Sequence, residues 1–286
     1  MSNAVIGPFI SPTRPAGSQN IPPIGIGMGP GSTKLDLSAV KTAILQAIEL
    51  GYRHLQTAVS SFLEYQAVGE AIVEALERGL VNSREELFIT CYLPYPDAGP
   101  DFVVQNIRKF LEKMHLAYVD LCLVQQAEED EPERSNDDNP FTDLMFVWEA
   151  MEKCQKLGLT KSIGVCNFSL KKLQNMLKFA KVPPSINQVG MHRFLKEKEL
   201  REFCLANNIS VIACSTIGGE EKHSDFTQFM ELEALQKTAK DRTKTADQVV
   251  CRWAHEQGAS LLLESLSKEH MLEILNILEW SSSQDD

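Results

Sequence analysis

Short apolar runs alternate with longer amphipathic segments along most of the chain, a pattern typical of parallel strands that are each followed by a helix. The apolar runs predict strands near residues 24–27 and over 52–57, 87–93, 119–125, 161–165, 185–189, 209–214 and 260–263. About eight such strands close a (β/α)8 TIM barrel. We therefore predict one barrel domain over residues 21–286, preceded by a flexible, Pro/Gly/Ser-rich tail over residues 1–20.

Two of the predicted helices carry recognisable signals at their ends. Ser169 precedes a segment whose apolar residues recur at helical spacing from Leu170 onward, so its hydroxyl is predicted to cap that helix. Thr245 precedes the segment ADQVVCRWAHEQG, which is predicted to be a helix that the threonine caps and that stops at Gly258.

Composition and charge exclude several classes of partner. The 286 residues carry a net charge of -11, whereas phosphate surfaces attract an excess of Lys and Arg, so we expect neither a nucleic acid nor a membrane as partner. No apolar stretch approaches the roughly 20 residues that span a bilayer, and no signal-peptide pattern is expected at the N-terminus. The seven cysteines form no CxxC pair, which is typical of reduced thiols in a cytoplasmic protein without a zinc site.

An acidic segment over residues 127–140, AEEDEPERSNDDNP, follows one of the predicted strands. In a TIM barrel this segment is a loop at the rim of the active-site end. One interpretation is a solvated loop, because charge runs usually serve solubility. The other is a rim that repels anionic ligands or favours cationic ones such as amines.

Several segments, taken in order over roughly residues 20–280, resemble the aldo-keto reductases. They are GYRHLQTA, SREELFIT, AYVDLCLV, MEKCQKLGLTKSIGVCNFS, PPSINQVGMHRF and RWAHEQGASLL. The sequences of these segments are most similar to those of plant reductases of the chalcone and codeinone type, which work in specialised metabolism. The resemblance implies a TIM barrel in which NADPH gives a hydride to a carbonyl carbon while a Tyr hydroxyl protonates the oxygen. In that family an Asp holds a Lys that lowers the pKa of the Tyr, and a His orients the carbonyl.

The resemblance aligns other residue types with all of these proton-transfer positions. Gln56 stands where the family has Asp, Tyr92 where it has Lys, and Gln125 where it has His. Ser61 stands where the family has Tyr, and one extra residue in SSFLEYQAVG leaves Phe62 as the alternative. A serine hydroxyl is too weak an acid to replace a phenol, and side-chain amides do not titrate. We therefore predict that these residues line a pocket that no longer supports the family's reduction.

Further residues are predicted to belong to this pocket. Tyr92 is either a new general acid or base, or an aromatic that fills the space left by the Lys. Gln126 either hydrogen-bonds a polar ligand or satisfies polar groups at the rim. Met28 stands where the family often has a small polar residue, and His192 either faces the pocket or is structural.

The resemblance also identifies residues around the nicotinamide of the family's cofactor. Cys166 and Asn167 stand where a Ser-Asn pair binds the carboxamide, and Gln188 is retained. Cys214 takes the place often filled by an aromatic that stacks on the nicotinamide ring, and Ser215 follows it. These positions are predicted to form a weakened cofactor site.

At the adenosine end of the cofactor, the resemblance predicts lost contacts. Glu264 stands where a Lys pairs with phosphate, His270 where an Arg covers the adenine and 2′-phosphate, and Ile274 where the family has Asn. Exchanging Lys for Glu turns attraction into repulsion, which near a surface costs about a few kcal/mol. We therefore expect no cofactor, with NADPH bound only by a residual reductase. Since the chain also ends earlier than the family, shortened loops and a more open pocket are expected.

Three functions are open at this point. The first is a neofunctionalised pseudoenzyme that has lost NADPH-dependent reduction but keeps a small-molecule pocket, for metabolite binding or for redox-neutral catalysis such as isomerisation or cyclisation. The second is a non-catalytic partner of a biosynthetic enzyme. The third is a residual NADPH-dependent oxidoreductase, and the fold alone does not decide among the three.

Overall fold

The computed structural model describes residues 21–27, 36–59, 62–94, 100–125, 140–215, 231, 233–265 and 267–280. Within these ranges, eight parallel strands pair in sequence order and the last pairs with the first, so the sheet closes into a barrel. The strands are β1 Ile24–Gly27, β2 His54–Ala58, β3 Phe88–Pro94, β4 Val119–Gln125, β5 Thr160–Cys166, β6 Ile186–Gly190, β7 Ser210–Ser215 and β8 Ser260–Leu263. The predicted TIM barrel is confirmed. The predicted tail over residues 1–20 and residues 127–139 of the acidic segment lie outside the described residues.

Helices follow the strands on the outside of the barrel. Those in the described ranges are α1 Leu37–Leu50, α2 Phe62–Glu77, α3 Pro100–Lys113, α4 Pro140–Lys156, α5 Leu170–Met176, α6 Met191–Lys196, α7 Lys198–Ala206, α8 Glu233–Asp241, α9 Ala246–Glu256 and α10 Lys268–Leu275. Apolar strand residues such as Leu55, Ile89 and Val124 share one outer core with Phe110 of α3 and Trp148 of α4. None of the helices described is long and apolar enough to cross a membrane.

The cap predicted for α9 is confirmed. The Thr245 hydroxyl accepts the Gln248 N–H at 3.1 Å, and the Gln248 side-chain oxygen accepts the Thr245 N–H at 3.1 Å. Such a reciprocal pair satisfies two N–H groups that the first helical turn leaves without partners. Beyond the helix, Gly258 has a φ of 89°, a left-handed conformation that glycine adopts without strain.

The cap predicted for α5 is wrong. Ser169 occupies the N-cap position, but its side chain forms no capping hydrogen bond. The loop in front of α5 is held from another strand instead, because the Asn187 amide donates to the Phe168 carbonyl at 2.9 Å. The helix also ends at Met176, after seven residues.

Side chains inside the barrel form a second core, separate from the outer one. Because side chains alternate along a strand, every second residue points inward. The inward cluster comprises Ile21, Ala58, Phe88, Tyr92, Leu121, Leu123, Cys166, Ile186, Ile212 and Leu262, with Cys214 packed against it. Gln56 and Gln188 lie two residues from inward members of their own strands, so they also point into the barrel.

Buried polar contacts hold the N-terminal end of the barrel. His54 is fully buried and shares a 2.8 Å hydrogen bond with the Thr90 hydroxyl. Asp120 accepts hydrogen bonds from the Ile89 N–H at 2.9 Å and from Arg84 at 2.8 Å. In TIM barrels this end serves stability, whereas the C-terminal ends of the strands carry the functional site.

Candidate functional site

The C-terminal end of the barrel brings together inward residues of neighbouring strands. Gln125 is the last residue of β4, Cys166 is the last of β5, and Gln188 lies in β6. Gln125 is paired in register with Cys166, and Cys166 with Gln188, so the three residues form one row around the mouth. Cys166 and Gln188 are buried, whereas Gln125 is partly exposed. The register thus brings together three residues that were predicted for one site.

Tyr92 lies inside the barrel close to this row. In β3 it is paired in register with Ala58 of β2 and Leu123 of β4, and it belongs to the same interior core as Cys166. Only 6% of its surface is exposed. The position alone agrees with both interpretations of Tyr92, a general acid or base and an aromatic that fills space.

The charges around Tyr92 are negative. Burial raises the pKa of the Tyr92 hydroxyl well above its usual value, and the carboxylates of Glu64 and Glu264 raise it further. The thiols of Cys166 and Cys214 act in the same direction, and no charge among the described neighbours lowers this pKa. Tyr92 therefore stays protonated at neutral pH and is a weak acid.

Glu64 is a buried carboxylate that acts on the pKa of Tyr92 and that the sequence analysis did not consider. It lies in the first turn of α2, is 7% exposed and accepts a hydrogen bond from the Thr57 hydroxyl at 3.0 Å. Val68 and Ile72 follow it at intervals of four residues and are buried, so the helical pattern could have placed Glu64 on the inner face. Glu264 follows directly after β8 and is partly buried.

Two buried amide oxygens inside the barrel have no hydrogen-bond partner among the residues that the structure describes. They are the Oε1 atoms of Gln56 and Gln188, each on a residue that is 3% exposed. Leaving such an atom unsatisfied costs about 1–3 kcal/mol, so buried polar atoms in folded proteins usually meet a protein group, a ligand or ordered water. Both atoms are acceptors and therefore require a donor.

The loop after β5 is fastened to β6 and α6. Asn167 has a φ of 64°, a left-handed conformation that Asn tolerates better than most residues. Its N–H donates to the Gln188 carbonyl at 2.8 Å, and its carbonyl accepts from Arg193 at 3.2 Å. Arg193 is itself oriented by Glu197, with 2.7 Å between Nε and Oε1. These contacts fix Asn167 beside Cys166 at the mouth of the barrel.

His192 borders the mouth from the first turn of α6. Its ring lies against Gly190, because a Cβ added to that glycine would be 2.8 Å from the imidazole Cε1. Gly190 is an inward position of β6 and is paired in register with Cys214 of β7. The imidazole therefore covers the end of β6, and a larger residue at position 190 would displace it.

The described residues at the positions that the resemblance assigns to the cofactor differ in what they could bind. The Oε1 of Gln188 can accept an amide N–H, as a carboxamide would offer. Where the resemblance expects phosphate contacts, Glu264 carries a carboxylate, and Ile274 is buried in the outer core. The N–H of His270 at the start of α10 already donates to the Ser267 hydroxyl at 3.3 Å. Over the ranges that the structure describes, no group of His, Cys, Asp and Glu is arranged to hold a metal ion.

Some predicted site residues lie outside the described part of the chain. Met28, Ser61 and Gln126 fall in this class. For Phe62 and Ser215, only the backbone is described. The roles predicted for these residues stay predictions.

Comparison with known proteins identifies the relatives of the chain. Residues 23–286 match the sequence model of the aldo/keto reductase family. The chain is 42% identical over 283 residues to a (1S)-1,7-diacetoxy-luvungin A aldo-keto reductase of Citrus sinensis, covering 96% of this chain and 87% of the relative. It is 40% identical over 272 residues to deoxymugineic acid synthase 1 of Zea mays, covering 93% and 85%. It is 40% identical over 267 residues to NADPH-dependent codeinone reductase 1-3 of Papaver somniferum, covering 91% and 83%.

Proposed function

The chain belongs to the aldo/keto reductase family, and on this basis we propose that it keeps a ligand pocket at the C-terminal end of its barrel but has lost NADPH-dependent carbonyl reduction. The pocket binds a small metabolite of plant specialised metabolism, or converts one by a redox-neutral reaction such as isomerisation or cyclisation. The relatives support the proposed place in plant specialised metabolism, because those named above are plant proteins and two of them are named as reductases.

The negative surroundings of Tyr92 carry this proposal. Reduction of a carbonyl needs an acid close to the carbonyl oxygen, with a pKa near the working pH. Burial and the carboxylates of Glu64 and Glu264 move the pKa of the Tyr92 hydroxyl in the opposite direction, upward. Gln56 and Gln125 carry amides, which can orient a ligand but cannot transfer a proton. The described residues of the mouth therefore offer hydrogen bonds without a tuned proton donor.

The phosphate end of the family's cofactor site supports the same proposal. Glu264 is partly buried directly after β8, where the family resemblance expects a cation. Near a protein surface, two unit charges 4 Å apart interact with about 4 kcal/mol. Exchanging an attractive for a repulsive charge there lowers phosphate affinity by about 10² or more.

Positioning alone can still accelerate a redox-neutral reaction. A fixed orientation removes part of the entropy that a reacting molecule must otherwise lose. The amides of Gln56, Gln125 and Gln188 can orient polar groups of a ligand, while Tyr92 and Cys166 form an apolar wall. Such a site needs no nicotinamide cofactor.

Titration of the purified protein with NADPH and NADH by calorimetry tests the proposal. We expect no binding of either cofactor at millimolar concentration. Because Glu264→Lys replaces repulsion by attraction, it should raise NADPH affinity by about 10²-fold or more. The control is Glu279→Lys, which makes the same charge change at an exposed residue and should have no such effect. Micromolar binding of NADPH to the unaltered protein, with NADPH consumed when carbonyl compounds are added, would overturn the proposal.

A residual reductase is the second candidate, and two observations favour it. Asn167 and Gln188 are joined by a 2.8 Å backbone hydrogen bond at the mouth, where the resemblance expects carboxamide contacts. One relative is named as an NADPH-dependent reductase. The same titration decides between the two candidates, because only the reductase binds NADPH tightly.

A further inference from the structure

We infer that Cys91 and Cys122 form a redox-sensitive thiol pair, which sustained exposure to a peroxide converts to a disulfide that joins β3 to β4. Both cysteines belong to the outer core, whereas Tyr92 and Leu123, which follow them in the two strands, belong to the core inside the barrel. The pair therefore lies outside the candidate site, and the inference does not depend on the proposed function.

The strand register places the two cysteines side by side. Cys91 in β3 and Cys122 in β4 are partners across the parallel ladder of the closed barrel. Neighbouring strands lie about 4.7–4.9 Å apart, and the Cα atoms of a disulfide are usually about 4.4–6.8 Å apart. The two backbones therefore already have the separation that a disulfide requires.

The two sulfur atoms are in contact. The Sγ atoms of Cys91 and Cys122 are 3.3 Å apart. Because a disulfide bond is about 2.0 Å long, closure requires the two atoms to approach each other by only about 1.3 Å. Small changes in the side-chain torsions of two cysteines can supply an approach of this size, so the strands need not move far.

Oxidation of the pair by hydrogen peroxide balances without a cofactor. The thiolate of one cysteine attacks a peroxide oxygen, the O–O bond breaks, and a sulfenic acid and hydroxide form. The other thiol then attacks the sulfenic sulfur, the S–O bond breaks, and the S–S bond forms with release of water. In sum, two thiols lose two electrons and two protons, and one peroxide is reduced to two water molecules. A sulfenic acid on either cysteine has the other sulfur 3.3 Å away to complete this path.

Burial determines when the pair reacts. Cys91 and Cys122 are both 0% exposed, and Met151 of α4 covers Cys122, with 4.0 Å between Sδ and Sγ. Burial raises the pKa of the Cys122 thiol well above its usual value, and Cys91 acts in the same direction. Because the thiolate is the reactive form, the folded barrel protects the pair. Oxidation therefore follows local opening of the cover that α4 provides, and a brief exposure to peroxide leaves the pair reduced.

The disulfide should stabilise the barrel against unfolding. It would close a loop that runs from β3 through α3 to β4, which removes conformational freedom from the unfolded chain. We expect the urea concentration at the midpoint of unfolding to rise by about 1 M. Dithiothreitol, which reduces the bond, should return the midpoint to its original value.

Peptide mapping of the oxidised protein tests the inference. The reduced full-length protein is incubated with hydrogen peroxide, the remaining thiols are alkylated in denaturant, and linked peptides are identified by mass spectrometry. We expect one disulfide, between Cys91 and Cys122, which dithiothreitol reverses. Urea unfolding of the same samples measures the midpoint before oxidation, after oxidation and after reduction.

Two variants separate the disulfide from other effects of peroxide. Cys122→Ala removes one partner but keeps a small apolar side chain in the outer core, so it should abolish both the link and the rise in the urea midpoint. The matched control is Cys204→Ala, at another cysteine that is 0% exposed, and it should keep both. A rise of the same size in oxidised Cys122→Ala would overturn the inference, because another oxidation product would then be responsible.

The remaining outcomes also decide the inference. A link between any other two cysteines, a sulfinic acid at Cys91 or Cys122 without the link, or complete alkylation of both thiols after prolonged oxidation overturns it. A lower urea midpoint of the linked protein does so too, because it would show that the native barrel does not accommodate the bond. The cofactor titrations use the reduced protein, so the proposed function and this inference can fail independently.

Discussion

At the scale of single residues, Gln56 and Gln188 place buried acceptors where the described part of the chain provides no donor. Elsewhere inside the barrel, comparable inward positions hold apolar residues such as Leu121 and Ile212, which need no partner. A residue that lowers stability where an apolar one would raise it is typical of a functional site. The stability lost at these two oxygens is therefore the cost that we attribute to ligand binding.

Replacing one of these amides should stabilise the protein. Gln188→Leu removes an unsatisfied buried oxygen, so we expect the free energy of unfolding to rise by about 1 kcal/mol. The control is Gln248→Leu, also at a buried glutamine, whose amide donates to the Glu273 carbonyl at 2.8 Å and whose oxygen completes the α9 cap. That variant should lose about 1–2 kcal/mol. Urea unfolding of both variants checks this, and a destabilised Gln188→Leu protein would contradict it.

The resemblance could name single residues of the site but not their surroundings. It identified Tyr92, Gln125 and Gln188 from their alignment with family positions, and the strand register brings the two glutamines next to Cys166. It could not show that the charge of Glu64 reaches Tyr92, because that depends on how α2 packs against β2, where Glu64 accepts the Thr57 hydroxyl. Unsatisfied oxygens are likewise a property of three-dimensional packing that no local pattern records.

At the scale of elements, local sequence signals predicted a helix cap correctly where the two hydrogen-bonded residues are close in the sequence. The cap of α9 joins Thr245 to a residue only three positions away, so the pattern around it was sufficient. The cap predicted at Ser169 was wrong because the loop before α5 is held instead by Asn187, which lies 18 residues further along the chain. The bounds of the strands were predicted to within two residues because each strand is an apolar run bounded by polar residues. The register between strands follows from closure of the barrel, which no single run records.

The two serine/threonine N-cap positions should therefore respond differently to the same type of change. Thr245→Ala removes the bond to the Gln248 N–H and the 2.5 Å bond from the Thr245 hydroxyl to Glu273. We expect it to lower the free energy of unfolding by about 1–2 kcal/mol. Ser169→Ala removes no capping bond and should cost less than about 0.5 kcal/mol. Equal losses in thermal and urea unfolding would show that the two positions do not differ in capping.

At the scale of the whole molecule, the two ends of the barrel differ in how their charged residues are arranged. At the C-terminal end, the carboxylates of Glu64 and Glu264 help to keep the buried Tyr92 hydroxyl protonated. The N-terminal end contains Asp120, compensated by Arg84, and a fully buried His54. Changes at the N-terminal end should therefore alter unfolding of the entire barrel, while ligand binding is controlled from the other end.

The buried imidazole at the N-terminal end links the stability of the whole barrel to pH. Burial lowers the pKa of His54 from 6.5 to about 3, and the charge of Asp120 opposes this only in part. Below pH 6.5 the unfolded chain therefore binds a proton at this histidine that the folded barrel does not bind until about pH 3. The contribution of His54 to the free energy of unfolding is then full above pH 6.5 and falls as the pH is lowered, by up to about 1.4 kcal/mol per pH unit.

His54→Gln should remove this dependence, because an amide does not titrate but can still donate to the Thr90 hydroxyl. Urea unfolding at pH 7, 6, 5 and 4 would follow the difference in free energy of unfolding between this variant and the unaltered protein. We expect that difference to shrink steadily as the pH is lowered, since only the unaltered protein loses stability through His54. The control is His115→Asn, at an exposed residue with a φ of 55° that Asn also tolerates, and its difference should stay constant. A constant difference for His54→Gln would mean that His54 binds its proton as readily in the folded barrel as in the unfolded chain, and the lowered pKa of the buried imidazole would then be wrong.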